Sequence, residues 1–149
     1  MLDGMPHAIA VRDRDLKLTL CNAAFRRTYN VPHAALLGRK PSEHPFANEN
    51  LEAVAEVELR YRDVLDRGVN VSKDIDMTAN GQTSQLFHWA SPISLREGDP
   101  PVALVSGTVD ITQRYQLLDM IEAARTKAET ANRAKSNFLA TMSHELAAR

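Results

Sequence analysis

The sequence has little of several features that would assign it to a familiar class. It has one cysteine, Cys21, among 149 residues, which excludes an internal disulfide framework and a multi-cysteine zinc site. Its apolar runs, such as residues 34–37 and 102–105, fall far short of the roughly 18–20 residues that span a bilayer. Residues 1–6 lack the basic flank and the apolar core of a signal peptide. We therefore expect a soluble chain that makes no membrane contact of its own.

The chain also lacks an excess of charge of either sign. It has 18 Lys and Arg against 19 Asp and Glu, so its formal net charge is −1. A protein that binds nucleic acid electrostatically should show a basic excess or stripe, so the sequence predicts no nucleic-acid partner. The hydrophobic fraction of 44% and the charged fraction of 25% are those of a globular protein, and the length is ordinary for one domain.

Proline and glycine are missing from the last quarter of the chain. All 7 prolines and all 6 glycines lie before residue 113, whereas residues 113–149 are rich in Ala, Leu, Glu, Lys and Arg. These are good helix formers, and the absence of helix breakers favours one continuous helix. The sequence therefore predicts two regions, a folded domain at residues 1–112 and a helix at residues 113–149.

Alternating apolar residues in the first region predict strands, and turn residues separate them. The Asn80-Gly81 pair is the strongest short hairpin signal, Asn22 is a good helix N-cap, and Gly68 ends a helical pattern. The predicted strands are residues 8–12, 16–21, 69–77, 87–95 and 102–112, with short helices at 23–27 and in 31–47 and a long helix at 49–67. Strands joined by tight turns are antiparallel, so we expect an α+β domain with a five-stranded antiparallel sheet and helices on one face.

The last region carries a stripe at alternating steps of four and three residues, which is typical of a coiled coil. We call this stripe the seam, and it comprises Leu117, Ile121, Ala124, Ala128, Ala131, Lys135, Phe138 and Met142. Its alanines make it thin, so a few kcal/mol could shift its register. His144 lies two residues beyond Met142, about 200° around the helix, so its imidazole should face solvent.

Several motifs in the first region resemble a PAS domain. Cys21-Asn22-Ala23-Ala24-Phe25 follows the second predicted strand, Gly38 lies in the helical linker, and residues 107–114 read GTVDITQR. A closing strand that runs into such a D-I-T-x-R sequence is the usual exit of a PAS domain into its output helix. The resemblance therefore implies the PAS fold and gives Asp110, Thr112 and Arg114 the place of a signal exit.

The second region resembles the phosphoacceptor helix of a sensor histidine kinase. Residues 131–146 read ANRAKSNFLATMSHEL, which is similar to the family's phosphoacceptor box. The resemblance implies that His144 accepts the phosphoryl group and that Glu145 could accept its proton. The combination with a PAS domain is similar to hybrid sensor kinases of the BvgS type, in which such a domain sits between a membrane helix and the kinase core.

That resemblance also implies partners and a location. A homodimer, a kinase catalytic domain and a response regulator are expected, in the cytoplasm as part of a membrane-bound kinase. The family box usually continues with R-T-P, whereas this chain reads Ala147-Ala148-Arg149, and it holds no Gly-rich phosphate loop. We therefore expect a piece of a longer protein, with ATP bound only in a separate domain and no phosphoryl transfer by this chain alone.

A small ligand in the interior of the domain is the alternative, in which pocket occupancy is the main function. Cys21, Asn22 and Trp89 are candidate ligand-binding residues, although the sequence favours structural roles for them, as a buried thiol with no neighbouring base, a helix cap and a core aromatic residue. His7, His33, His44 and His88 lack the spacing of metal ligands. No histidine lies at 49–67 for haem, and no flavin motif is present, so the sequence predicts no metal and no evident cofactor.

Overall fold

The computed structural model describes residues 2–148. The strands are β1 (Ala8–Asp13), β2 (Leu18–Cys21), β3 (Val71–Ala79), β4 (Gln82–Ile93) and β5 (Ala103–Asp110). The α-helices are α1 (Ala23–Tyr29), α2 (Leu51–Arg67) and α3 (Thr112–Ala147), and short 3-10 turns lie at Leu2–Gly4, His33–Ala35, Pro41–Glu43 and Pro45–Glu49. The chain divides by its contacts into two units, Met1–Thr112 and Gln113–Arg149.

The five strands form one antiparallel sheet in the order β2-β1-β5-β4-β3. The first strand and the last strand of the domain are therefore neighbours at the centre of the sheet. The main core lies between the sheet and the helices α1 and α2. This arrangement confirms the predicted α+β fold with a five-stranded antiparallel sheet; the pairing of α3 in a coiled coil stays a prediction.

The hairpin between β3 and β4 is the one that the sequence predicts. Asn80 and Gly81 have φ values of 53° and 75°, and Ala79 pairs with Gln82. Two successive residues at positive φ match the right-handed twist of the flanking strands, which is why Asn-Gly is favoured there.

The predicted second strand is too long at its start. Leu16 lies in a turn with φ of 65°, and the Asp13 carboxylate accepts hydrogen bonds from the backbone of Asp15 and Lys17 at 2.9 Å each. The turn buries Leu16 as fully as Leu18, whereas Leu20 is 41% exposed. Strict alternation at 16, 18 and 20 therefore does not describe one face of a strand. The predicted start of the first strand at Ala8 and the predicted end of the second at Cys21 are confirmed, and the remaining strand ends differ by one to five residues.

The buried face of α2 matches the predicted pattern at Val54, Val64 and Leu65 and differs from it at other positions. Its buried residues are Val54, Val57, Tyr61, Val64 and Leu65. Leu51 and Leu59, which the helical pattern included, are each 70% exposed. Tyr61 takes the core position because its ring packs inside while its hydroxyl finds polar partners there. Gly68 ends the helix as predicted, in the left-handed conformation with φ of 66°.

On β5, the even-numbered residues face the core. Leu104, Ser106 and Thr108 are buried on one face, and the apolar residues Val105 and Val109 lie on the other face and are half-buried. The polar face is buried because it meets hydrogen-bonding partners from α2 and β4, as described below.

The second unit is the helix α3, an uninterrupted helix of 36 residues. At 1.5 Å per residue it is about 54 Å long. Its seam residues Leu117, Ile121, Phe138 and Met142 are between 44% and 64% exposed. Among residues 2–148, no helix combines the length and the apolar character that crossing a membrane requires.

Candidate functional site

His144 lies in the last turns of α3 and is exposed, as predicted from its place two residues beyond Met142. Four exposed apolar side chains precede or flank it, namely Phe138, Leu139, Met142 and Leu146. At about 100° per residue they cover roughly 100° of the helix surface, and His144 is about 170° from the centre of that arc. The helix therefore presents an apolar face on one side and the imidazole on the opposite side.

This apolar face is wider than the predicted seam at its C-terminal end. The seam includes Phe138 and Met142, and the sequence analysis missed Leu139 and Leu146, which are 54% and 68% exposed. A stripe of about 100° is wider than a two-helix seam and is typical of a helix with more than one helical neighbour. The wider face could have been predicted from the sequence, because Leu139 and Leu146 are spaced by three to seven residues from Met142 and from each other.

Glu145 is exposed next to His144. Consecutive residues on a helix point about 100° apart and do not face each other. Within the described part of the chain, no hydrogen bond or ion pair joins the two side chains. The proton-acceptor role of Glu145 stays a prediction.

The residues that the sequence predicts as a signal exit lie between β5 and the first turn of α3. The Asp110 carboxylate accepts a hydrogen bond of 2.9 Å from the backbone of Thr112. The Thr112 hydroxyl accepts one of 2.9 Å from the backbone amide of Gln85, and the Ile111 amide donates to the Gln85 carbonyl at 2.8 Å. Two predicted residues and the unpredicted Gln85 of β4 thus fix the first residue of the helix. Arg114 lies two residues after Thr112, in the first turn of α3, and is exposed.

Asn22 is fully buried and caps α1. Its Oδ1 accepts hydrogen bonds from the amides of Phe25 and Ile9, each at 2.9 Å. Its Nδ2 donates to the carbonyls of His7 and Leu2 at 2.8 and 3.2 Å. These four hydrogen bonds satisfy the donors and acceptors of the Asn22 side-chain amide. Asn22 therefore connects the segment before β1 to the end of β2.

Cys21 is buried, and its Sγ lies 3.8 Å from Nδ1 of His33. The expectation that no base lies near the thiol is therefore wrong, because a loop 12 residues downstream returns to it. Burial nevertheless raises the pKa of the thiol, against the opposing effect of Arg26. A protonated thiol is a poor nucleophile, so the structure gives Cys21 no reactive character.

Trp89 lies on the face of the sheet opposite to His88. Its neighbour across the sheet is Gly107, and a Cβ added to that glycine would lie 2.5 Å from the indole ring. The absence of a side chain at position 107 is what lets the ring lie flat against β5.

A cavity lies between α1, α2 and the sheet, with a volume of about 30 Å³, which is room for one or two water molecules. Most lining residues are apolar, and none is acidic. Cys21, Asn22 and Trp89 do not line it. The polar side chains that do are Arg12, Tyr29, Tyr61, His88, Ser106 and Thr108.

Arg12 is the charged residue of the cavity wall and is only 2% exposed. Its Nη1 donates to the carbonyls of Leu16 and Arg39 at 3.0 and 3.2 Å, and its guanidinium carbon lies 5.8 Å from the centre of the Tyr61 ring. Its Nε has no hydrogen-bond partner. Two carbonyls and a ring face offset only part of the cost of burying a charge, on the order of several kcal/mol.

A hydrogen-bonded chain of three side chains lies beside this guanidinium. The Tyr61 hydroxyl lies 3.0 Å from Nε2 of His88 and 3.0 Å from Oγ of Ser106. His88 Nδ1 and Thr108 Oγ1 are buried without a hydrogen-bond partner. His88 and Thr108 pair across β4 and β5, so they share the wall of the cavity.

The titratable side chains of this region are held neutral. Burial lowers the pKa of His88 to about 4, with the charges of Arg60 and Arg12 acting in the same direction. Burial and the charge of Arg12 lower the pKa of His44 to about 4, and burial raises the pKa of Tyr29 to about 12. Arg12 is therefore the charge that dominates the cavity at neutral pH.

A metal site is not assembled by these groups. Within residues 2–148, no group of three or more His, Cys, Asp or Glu side chains is placed to hold a metal ion. The lining of the cavity supplies hydrogen-bond donors and ring faces rather than metal ligands.

Comparison with known proteins agrees with this architecture. The family model described as PAS fold matches residues 2–116. The virulence sensor protein BvgS of Bordetella pertussis (strain Tohama I) is 34% identical over 146 residues, which cover 98% of this chain and 12% of the relative. The sensor protein EvgS of Escherichia coli (strain K12) is 27% identical over 148 residues, which cover 97% of this chain and 12% of the relative.

A solved structure is similar over most of the chain. The PAS domain from Bordetella pertussis BvgS has a TM-score of 0.65 and 28% sequence identity, covering 85% of this chain and 92% of that one. The chain spans only about an eighth of the length of its curated relatives, since the match covers 12% of each. The sheet order, the helices and the family match lead to one conclusion: the chain belongs to the PAS fold family.

Proposed function

We propose that this chain is the regulatory PAS module of a two-component sensor histidine kinase. In this proposal two copies pair through α3 and relay a signal from the PAS sheet to the phosphoacceptor His144. The observation that carries it is the position of His144, exposed on α3 and opposite the apolar face of the same helix. The sensor-protein relatives support a signalling role.

The paired copies would cover the exposed apolar seam. In one chain, Leu117, Ile121 and Phe138 are each more than half exposed, which is costly in water when they form a continuous stripe. In a parallel pair, the seam of the second copy lies alongside the seam of the first. The seam side chains of each helix then pack between those of the other. Pairing leaves His144 on the outer side, where a kinase catalytic domain can reach it.

The chemistry at His144 needs a neutral imidazole with a free lone pair. That nitrogen attacks the γ-phosphorus of ATP held by a separate kinase domain, the bond from phosphorus to the ADP oxygen breaks, and the other ring nitrogen gives up its proton. Glu145 is the nearest carboxylate in sequence and would accept it. The phosphoryl group then passes to a response regulator. We place this step in the cytoplasm, where ATP is available.

Phosphorylation in trans tests this function. The chain is incubated with ATP and the isolated catalytic domain of a related sensor kinase, and phosphohistidine is measured. We expect labelling of the unmodified chain, no labelling of His144→Gln, and labelling slowed by roughly 100-fold in Glu145→Gln. His33→Gln is the matched control because His33 is also exposed, and it should label normally. Labelling that persists in His144→Gln would contradict the proposal.

A second candidate function is small-molecule sensing, in which occupancy of the cavity is the main role. The buried and unpartnered Nε of Arg12 and hydroxyl of Thr108 favour it, because a ligand would supply the missing partners. Native mass spectrometry of the purified chain measures this directly. A small molecule that remains bound to the purified chain supports sensing by occupancy. A mass equal to that of the chain alone counts against it.

A further inference from the structure

The strand β3 is the last strand of the sheet and pairs with β4 along one side. In such a pair, alternate residues direct their backbone amide and carbonyl toward the neighbouring strand, and the residues between them direct these groups away. Thr78 is of the second kind, because its amide and its carbonyl both bond to the side chain of Asn50. Ser72 and Asp76 lie at the same alternate positions, so their backbone groups also point to the outer edge of the sheet.

The contact between Asn50 and Thr78 shows how this edge receives an amide. Asn50 Nδ2 donates to the Thr78 carbonyl at 2.7 Å, and its Oδ1 accepts from the Thr78 amide at 2.6 Å. A peptide group of a further strand would offer the same donor and the same acceptor. In the chain from residue 2 to residue 148, no strand pairs with β3 on this side. Residues 72–76, about 16 Å of strand, therefore form an edge that a further strand could extend.

A groove with a volume of about 650 Å³ runs beside this edge. One of its walls is β3 from Lys73 to Thr78, and the other is residues 48–53 together with Glu56 on α2. Leu51 belongs to the second wall and is 70% exposed. The volume is in the range of sites that hold ligands, so the groove has room for a short extended segment.

The lining of the groove is strongly acidic. It holds five carboxylates and one ammonium group, which are Glu49, Glu52, Glu56, Asp74, Asp76 and Lys73. Lys73 forms an ion pair with Glu56, so the net charge of −4 resides on the remaining carboxylates. A second copy of this edge would bring acidic side chains against acidic side chains, which is unfavourable. The charge therefore favours a basic segment as the occupant.

We propose that this groove binds an extended basic segment of a partner protein, which adds to β3 as a sixth strand of the sheet. Hydrogen bonds to the backbone of the edge supply affinity, and alternate side chains of the segment supply specificity. Basic side chains of the segment lie beside Asp76, and apolar side chains at the alternate positions contact Leu51. The inference goes beyond the proposed function and depends neither on phosphoryl transfer to His144 nor on occupancy of the cavity.

Binding of a synthetic peptide tests the proposal. The probe is a dye-labelled peptide of alternating lysine and valine, about seven residues long, and fluorescence polarisation measures its affinity for the whole chain. We expect saturable binding that weakens as salt is added, and no binding when glutamate replaces lysine. Absence of binding by the lysine peptide would mean that the carboxylates only keep the edge from pairing, and it would overturn the proposal.

Methylation of the peptide backbone separates strand addition from attraction by charge alone. One version carries N-methyl groups on its lysines and the other carries them on its valines, with the same charge in both. Only alternate amides of an added strand face β3, so one version should bind more weakly than the other by about tenfold or more. Equal affinity of the two versions would overturn the proposal.

A variant and an exchange measurement place the peptide on the edge. Asp76→Asn should weaken binding by about threefold, whereas Asp99→Asn, at an exposed aspartate between β4 and β5, should leave it unchanged. With the peptide bound, hydrogen exchange of the Asp76 amide should slow by about tenfold, and that of Ile75, whose amide faces β4, should not change. Unchanged exchange at Asp76 in the presence of bound peptide would place the peptide elsewhere and overturn the proposal.

Discussion

The backbone amide of Gln85 donates a hydrogen bond of 2.9 Å to the hydroxyl of Thr112, which is the first residue of α3. The Gln85 carbonyl accepts a second hydrogen bond, of 2.8 Å, from the amide of Ile111. Gln85 lies three residues before His88 on β4, and His88 lines the cavity. Gln85 therefore joins β4, the strand that carries His88, to the first residue of α3.

Thr112→Val should weaken this connection, because valine keeps the shape of threonine and leaves the Gln85 amide without its acceptor. We expect a loss of about 1 kcal/mol in the free energy of unfolding, measured by urea denaturation, and faster amide exchange in the first turn of α3. Thr112→Ser keeps the hydroxyl and is the control. Equal losses in the two variants would show that the hydrogen bond is unimportant.

Gly107→Ala should disturb the single tryptophan. The new Cβ would lie 2.5 Å from the Trp89 ring, so the ring must move, at a cost of about 1–3 kcal/mol. Tryptophan fluorescence and urea denaturation measure the two effects. Gly4→Ala is the control, since nothing lies within 4 Å of a Cβ at that position. A Gly107→Ala protein with unchanged fluorescence and stability would contradict the contact.

Acid should destabilise the domain through two buried histidines. The pKa of His88 and that of His44 are lowered to about 4 in the folded chain, from about 6.5 in an unfolded one. The unfolded chain binds more protons in this interval, so stability is full above pH about 6.5 and falls as the pH drops toward about 4. We expect a loss on the order of several kcal/mol across the interval.

His88→Gln and His44→Gln should each flatten that pH dependence, measured as the free energy of unfolding at several pH values. His33→Gln is the control because His33 is exposed. A dependence that is as steep in both buried variants as in the unmodified chain would exclude these histidines as its source.

Asn22→Ala should be among the more damaging changes in the domain. It removes the cap of α1 and leaves the backbone groups of Ile9 and His7 without partners, at a cost of about 2–4 kcal/mol. Urea denaturation measures the loss, and Asn48→Ala, at an exposed asparagine, should have little effect. A small loss in Asn22→Ala would mean that water replaces these contacts.

Features that depend on neighbouring residues could be predicted from the sequence. The Asn80-Gly81 turn, the cap at Asn22 and the helix stop at Gly68 each need only a few adjacent residues, and all three are confirmed. Leu16 is the local exception, since its positive φ is rare for a leucine and no alternation pattern reveals it.

The cavity could not be predicted in the same way. Tyr61 meets His88 and Ser106 across 27 and 45 residues of sequence, and Arg12 meets Arg39 across 27. Each of these residues reads as an ordinary surface or core residue in its own segment. Their burial follows from the pairing of β1, β4 and β5, which brings polar even-numbered residues to the inside of the sheet.

Disulfide cross-linking along α3 tests the paired helix most directly, in a Cys21→Ala background that removes the natural thiol. Ala124→Cys places a thiol on the seam, and Ala123→Cys places one on the neighbouring residue about 100° away. We expect rapid cross-linking of Ala124→Cys, as also for cysteines at positions 117 and 121, and little for Ala123→Cys. Equal rates at positions 123 and 124, or a chain that sediments as a monomer, would contradict the paired helix.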